Sequence, residues 1–157
     1  MKKRALVVVA LALLGAAAVL SAQTSPYDKY LTAADIEKAG NLSGLKTVPY
    51  DPSKGAGGNL NFGLADGTVV LIATFQSLQP KDYDKYKTQI KPYVKGPIAG
   101  LADDAFNGPP GNPYFISFRK GNWVATISTF FNPAKMGQTF LTMDQLLALC
   151  KVVAGRL

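Results

Sequence analysis

The stretch PYFISFRKGNWVATISTF, residues 113–130, predicts a β-hairpin and with it the fold class. Apolar and polar side chains alternate along both arms, which is the pattern of strands with one buried face. A turn at Lys120-Gly121 gives one wholly apolar face. The pairs that this turn implies are Phe118 with Trp123, Ile116 with Ala125 and Tyr114 with Ile127. Because Lys-Gly is a weak turn dipeptide, a bulge at Gly121 or Asn122 is the alternative.

A second hairpin is predicted for NLNFGLADGTVVLIATF, residues 59–75, with a two-residue turn at Asp66-Gly67. The pairs implied here are Leu64 with Val69, Phe62 with Leu71 and Leu60 with Ala73. Both hairpins open on Gly-Asn and close on Thr-Phe, and a helical pattern follows each of them. The chain therefore reads as a degenerate repeat.

The helices have clear start signals. LTAADI (31–36) and LTMDQL (141–146) each combine a threonine N-cap with a capping-box partner three residues on. A third helix is predicted for residues 81–91, between Pro80 and Pro92. The expected fold is α+β, in the order α-(ββα)-(ββα). An antiparallel sheet of four to six strands, with an optional strand at 45–50, carries helices packed on one face. Residues 50–58 and 95–113 are expected to be long loops.

The N-terminus has the pattern of a secretory signal peptide. Three basic residues precede an unbroken apolar run of 16 residues, 5–20, and small residues follow. Cleavage after Ala22 would leave residues 23–157 as a single domain in a periplasmic or secreted protein. An uncleaved membrane anchor is the alternative, but the run is shorter than the roughly 20 residues that span a bilayer. The predicted mature domain therefore has no stable membrane anchor.

Charge and composition exclude several function classes. Once the three basic residues of the leader are removed, 14 basic and 10 acidic residues leave a mild charge of +4, carried mostly by scattered lysines. Nucleic-acid binding requires a clustered basic stripe and is not expected. There is no histidine, so the usual catalytic triads and the usual transition-metal sites are excluded. The single cysteine, Cys150, falls on an apolar helical stripe and is expected to be buried and inert. No cofactor or metal is expected.

Asp103 and Asp104, in GLADDAFNGPP (100–110), are the residues most suggestive of chemistry. Adjacent side chains of an extended segment point apart, so the two acids cannot easily act on one bond. A loose cation site with Asn107 is a second option, since carboxylate and amide oxygens suit hard cations. The favoured interpretation is structural, because aspartates commonly shape turns.

Lysine and tyrosine alternate in YDKY, which occurs at 27–30 and again at 83–86, and KPYVK follows the second copy. Such clusters can stack on sugars or hold anionic polymers, although aromatic residues at helical spacing more often face a core. The candidate ligand-binding residues are therefore Asp103, Asp104, Asn107, Arg119, Trp123, Tyr83, Tyr86 and Lys95.

The arrangement LTAADI, GGNLNF, GLADDAF, FRKGN and LTMDQLLAL resembles small secreted bacterial domains of unknown function. It is similar to actinobacterial lipoproteins and to extracellular sensor domains of membrane Ser/Thr kinases. Gly100, Leu101 and the two aspartates match a motif that precedes the hairpin in such proteins, with Ala102 in place of a second glycine. Gln23 stands where a lipidated cysteine would be. The resemblance implies an extracytoplasmic, non-enzymatic domain.

These observations favour a secreted or periplasmic binding module without catalysis. Its partner could be an envelope polymer, a small molecule or an envelope protein. One alternative is a hydrolase or isomerase that uses Asp103 or Asp104 as a base. The other is a structural envelope protein that self-associates, and the oligomeric state is open.

Overall fold

The structure, a computed structural model, describes residues 25–49, 59–111 and 114–157. Within these ranges it has an α+β fold, with one seven-stranded antiparallel sheet and three α-helices. The helices are α1 (Ala33–Gly40), α2 (Pro80–Ile90) and α3 (Met143–Arg156), and a 3₁₀ turn, Lys91–Tyr93, follows α2. The strands are β1 (Lys46–Thr47), β2 (Leu60–Gly63), β3 (Val69–Ser77), β4 (Gly96–Pro97), β5 (Asp104–Asn107), β6 (Tyr114–Lys120) and β7 (Trp123–Thr129). The predicted signal peptide lies outside the described residues.

The sheet is built from two meanders joined at their last strands. Its order is β1-β2-β3-β7-β6-β5-β4, and β3 pairs antiparallel with β7 from Leu71–Thr129 to Ser77–Trp123. The two predicted hairpins, β2–β3 and β6–β7, thus form four neighbouring strands, and β3 of the first pairs with β7 of the second. The expectation of four to six strands was wrong, because β4 and β5 lie in residues 95–113, which were expected to form a loop. The strand expected at 45–50 is the two-residue β1.

The first hairpin keeps its predicted outer pairs but not its predicted turn. Leu60 pairs with Ala73 and Phe62 with Leu71, as expected. The Gly67 amide, however, donates to the Leu64 carbonyl, and Leu64 donates to Thr68, which closes a three-residue loop with Gly67 at φ +84°. Gly63 is therefore the partner of Val69, and a bulge restores the register beyond it.

The second hairpin turns one residue later than expected. Lys120 pairs with Trp123, Phe118 with Ala125 and Ile116 with Ile127, so the loop is Gly121-Asn122. Gly121 has φ +57°, which suits the first central position of a II′ turn, and this backbone geometry selects glycine there. The register differs from the prediction by two residues. Side chains alternate with a period of two, so the same residues still face the core.

Helices lie on both sheet faces, which corrects the expectation of one covered face. The main core joins α1 and α3 to the apolar face of the sheet; its fully buried side chains include Ile36, Phe62, Leu71, Ile116, Phe118, Ile127, Leu146 and Cys150. Helix α2 packs on the opposite face, because the Tyr86 hydroxyl contacts the Ser117 and Thr126 hydroxyls, which point away from that core. This opposite face is called the polar face below.

Helices α1 and α3 begin at the predicted capping boxes, and α2, predicted over residues 81–91, spans Pro80–Ile90. Thr32 and Asp35 form one capping box, and Thr142 and Gln145 form the other. The burial predicted for Cys150 is confirmed, and burial raises the pKa of its thiol. Among the described residues, every helix is too short and too polar to cross a bilayer.

Candidate binding cleft between α2 and β5

Tyr83 and Tyr86 hold α2 on the polar face of the sheet. Tyr83 is 3% exposed and Tyr86 is half-buried, and their ring centroids are 6.0 Å apart. The Tyr86 hydroxyl lies 3.1 Å from Ser117 Oγ and 3.2 Å from Thr126 Oγ1, and these two oxygens are themselves 2.9 Å apart. Three hydroxyls thus satisfy one another beneath the helix. Tyr83 is thus buried under α2, and the Tyr86 hydroxyl is bonded to the sheet.

Arg119 lies beside the same helix. Its guanidinium carbon is 5.0 Å from the Tyr83 ring centroid, a cation–π geometry. The Arg119 Nε and the Tyr83 hydroxyl are both buried, and neither has a hydrogen-bond partner of normal geometry among the described residues. Burial, followed by the negative charge of Asp104, raises the pKa of Tyr83, so its hydroxyl stays protonated. The Tyr83 hydroxyl thus faces the Asp104 carboxylate, and its interaction with that carboxylate also contributes to both pKa shifts.

Asp104, the first residue of β5, pairs with Lys87 of α2. Lys87 Nζ is 2.6 Å from the Asp104 carboxylate, and the two side chains are 46% and 30% exposed. Partial burial acts to raise the pKa of Asp104, but the hydrogen bond and the charge of Lys87 bring it below the usual value. Asp104 is therefore ionised at neutral pH and is a weak proton acceptor.

Asp103 has a different task. Its carboxylate accepts a hydrogen bond of 2.7 Å from the Gly121 amide, and its own amide donates to the Arg119 carbonyl. The side chain thus closes the β6–β7 turn against the segment that precedes β5. Asp103 thus shapes a turn, that of the β6–β7 hairpin.

A concave site lies between α2 and the strands β4 and β5, of which β4 is the edge of the sheet, and it is called the α2–β5 cleft below. Its volume is about 340 Å³. Apolar side chains supply most of the lining: Ile90, Val94, Pro97, Ala105 and Phe106. Lys87, Thr88, Lys91 and Asp104 supply the polar part. The cleft thus brings residues 87–94 of the second lysine–tyrosine cluster against residues 104–106, which include Asp104.

The remaining predicted residues do not join this cleft. The Asn107 amide donates to the Tyr114 hydroxyl, which in turn contacts Met143 Sδ at 2.9 Å. Trp123 packs on the core side, with its ring centroid 5.7 Å from that of Tyr30. Lys95 is exposed, and its amide donates to the Asn107 carbonyl. Of the eight candidates, the structure thus clusters Asp104, Arg119, Tyr83 and Tyr86 beneath α2, and among these Asp104 lines the cleft.

The sequence reasoning missed the cleft lining itself. Lys87, in the last turn of α2, and Lys91, at its C-cap, are four residues apart and lie on the same side of the helix. That spacing was visible in the sequence. The facing wall was not visible, because residues 95–113 are rich in Gly and Pro and predict a loop, whereas they contain the strands β4 and β5.

Two other clefts have similar volumes. One of about 380 Å³ lies beside Tyr114, Phe131 and Met143, and one of about 390 Å³ lies between α1 and α3. Size alone therefore does not select a site. Of these three clefts, the α2–β5 cleft is the one lined by a predicted candidate residue, Asp104. The described part of the chain contains no cluster of three or more potential metal-ligating side chains.

No protein-family model, curated protein or solved structure matches this chain.

Proposed function

We propose that this chain is a periplasmic or secreted binding domain without catalysis, and that its ligand is a small molecule held in the α2–β5 cleft. The observation that carries the proposal is the chemistry of that cleft. It combines an apolar floor with a few charged groups at the rim, which is the usual make-up of a small-molecule site. Its volume of about 340 Å³ is at the lower end of the range for such sites.

A small molecule fits these features better than a polymer or a protein partner. Polysaccharide binding would favour exposed aromatic rings in a row, whereas Tyr83 and Tyr86 pack against the sheet. A stable protein interface needs an extended surface with a buried apolar centre. The α2–β5 cleft is concave and local instead.

The test is a fragment screen of the mature domain by amide NMR. Binding compounds should shift resonances of α2, β4 and β5. Val94→Trp places a large side chain in the cleft and should abolish those shifts. Val152→Trp, on the exposed side of α3 and in the cleft between α1 and α3, is the matched control and should retain them. Binding that survives Val94→Trp, or that maps to another surface, would refute the proposed site.

A second candidate, a hydrolase or isomerase, has one observation in its favour. Asp104 lies in a concave site and faces Lys87, as a general base beside a cation would. Its lowered pKa weighs against that role, because efficient bases have a pKa nearer to neutrality. Turnover of any screened compound that is lost in Asp104→Asn, with binding retained, would favour the enzyme.

A further inference from the structure

The α2–β5 cleft has a polarity that suggests the class of its ligand. We infer that it takes an amphipathic monoanion, a short aliphatic carboxylate, with the chain inside the cleft and the carboxylate at Lys91. This inference rests on the proposed function and adds the ligand chemistry to it.

The floor of the cleft selects an aliphatic group. Ile90, Val94, Pro97 and Phe106 contribute side chains without hydrogen-bonding groups. A polar ligand placed there would lose its hydrogen bonds to water without replacement, which is unfavourable. An alkyl chain, in contrast, gains by leaving water.

The rim selects one negative charge. Lys87 and Lys91 are the cations of the lining and Asp104 is its anion, so the lining has one positive charge in excess. Lys87 is paired with Asp104, whereas Lys91 makes no ion pair within the described ranges. A cationic ligand would be repelled, and a neutral ligand would leave the Lys91 ammonium without a negative partner.

The same geometry disfavours a phosphate dianion. Phosphate sites usually present the backbone amides of a helix N-terminus. The cleft lies instead against the last turn of α2, where the helix presents carbonyl groups. These carbonyl dipoles disfavour any anion, and a dianion about twice as strongly as a monoanion, so the head group needs the Lys91 ammonium beside it and a single charge. A single carboxylate, held by a lysine side chain, is the ligand head that this rim can accept.

The test uses isothermal titration of the mature protein with octanoate, octanol and octylamine, all below their aggregation concentrations. Octanoate should bind several-fold more tightly than octanol, and octylamine should bind most weakly. Lys91→Gln should weaken octanoate by about threefold to fivefold, the usual value of one exposed ion pair, and should leave octanol unchanged. Lys46→Gln, an exposed lysine on β1, is the matched control and should change neither.

The outcomes separate this inference from the proposed function. If octanol equals octanoate and Lys91→Gln has no effect, the ligand class is wrong while the cleft remains a binding site. If none of the three probes binds, the ligand class is again wrong. The proposed function then depends on whether other compounds bind in a manner sensitive to Val94→Trp. Equal loss of octanoate binding in Lys46→Gln would show non-specific attraction and would also overturn the inference.

Discussion

Asp103 is the residue whose role the structure defines most clearly. Its carboxylate holds the Gly121 amide at 2.7 Å, so Asp103→Ala removes the cap of the β6–β7 turn. We expect the free energy of unfolding to fall by about 1 kcal/mol, the usual value of such a bond. Urea unfolding of the mature domain measures this. Asp84→Ala, on the exposed side of α2, should change stability by less than about 0.5 kcal/mol. Equal stability of the wild type and Asp103→Ala would contradict the capping role.

Asp35 provides the clearest pH dependence. Arg156 donates two hydrogen bonds, of 2.6 and 2.8 Å, to its carboxylate, and these lower the pKa of Asp35 from 3.8 to about 2. The folded-state pKa is below the unfolded one. The pair therefore contributes fully above about pH 4, and its contribution is lost as the pH falls through about 2. Because Arg156 is 37% exposed, solvent screening limits the contribution to about 1 kcal/mol.

Asp35→Asn should therefore destabilise the domain near pH 7, and the difference from the wild type should shrink towards pH 2. Asp144→Asn, in the first turn of α3, is the control, because it removes a similar helix-dipole interaction without the arginine. Its cost should be smaller, about 0.5 kcal/mol. A pH-independent cost for Asp35→Asn would show that the ion pair contributes nothing.

At the scale of single elements, the two hairpin turns show what local sequence can and cannot decide. Asp66-Gly67 predicted a two-residue loop, yet the loop has three residues and a bulge in β3 compensates. The outer strand pairs match the prediction because they are determined by which residues are apolar. The turn type depends on backbone angles, which a dipeptide constrains only partly.

Gly121 allows a direct test of the second turn. Its φ of +57° is unfavourable for any residue with a Cβ, so Gly121→Ala should cost about 1 kcal/mol. Gly155→Ala is the matched control with the opposite sign. It lies in α3 with open space around the added Cβ, so it should stabilise the domain by about 0.5 kcal/mol. Thermal unfolding compares the two. A Gly121→Ala variant as stable as the wild type would rule out the strained turn.

For the whole molecule, the sequence predicted the fold class but not which faces of the sheet are covered. Capping boxes and apolar stripes located α1 and α3, because those signals are local. The position of α2 depends on contacts between Tyr86 and two hydroxyls more than 30 residues away in the chain. The candidate cleft has the same origin. The sequence placed the two lysines of its rim at the end of α2. The facing wall is formed by β5, a four-residue strand that is too short to show an alternating pattern.

The predicted signal peptide makes a further test possible. If cleavage follows Ala22, intact-mass analysis of the exported protein should give a chain that begins at Gln23. The mature chain keeps Tyr27, which stacks on Phe75 with centroids 5.5 Å apart, and Tyr30, which contacts Phe75 and Trp123. Cleavage there therefore leaves the described core complete. An exported protein that retains residues 1–22 would instead support the membrane-anchor alternative.

The sheet edges bear on the self-association alternative. Unpaired edge strands join other chains when they are long and flat. Both edges here are short, since β1 and β4 have two residues each. Lys46 places a charge on one edge, and Pro97 has no amide hydrogen to donate on the other.

We therefore expect the mature domain to be a monomer whose mass by light scattering is independent of concentration. Lys46→Val removes the charge from the β1 edge and should associate at least as strongly as the wild type. A wild-type dimer that dissociates on dilution would favour the structural envelope protein, because the edges would then have to pair despite their length.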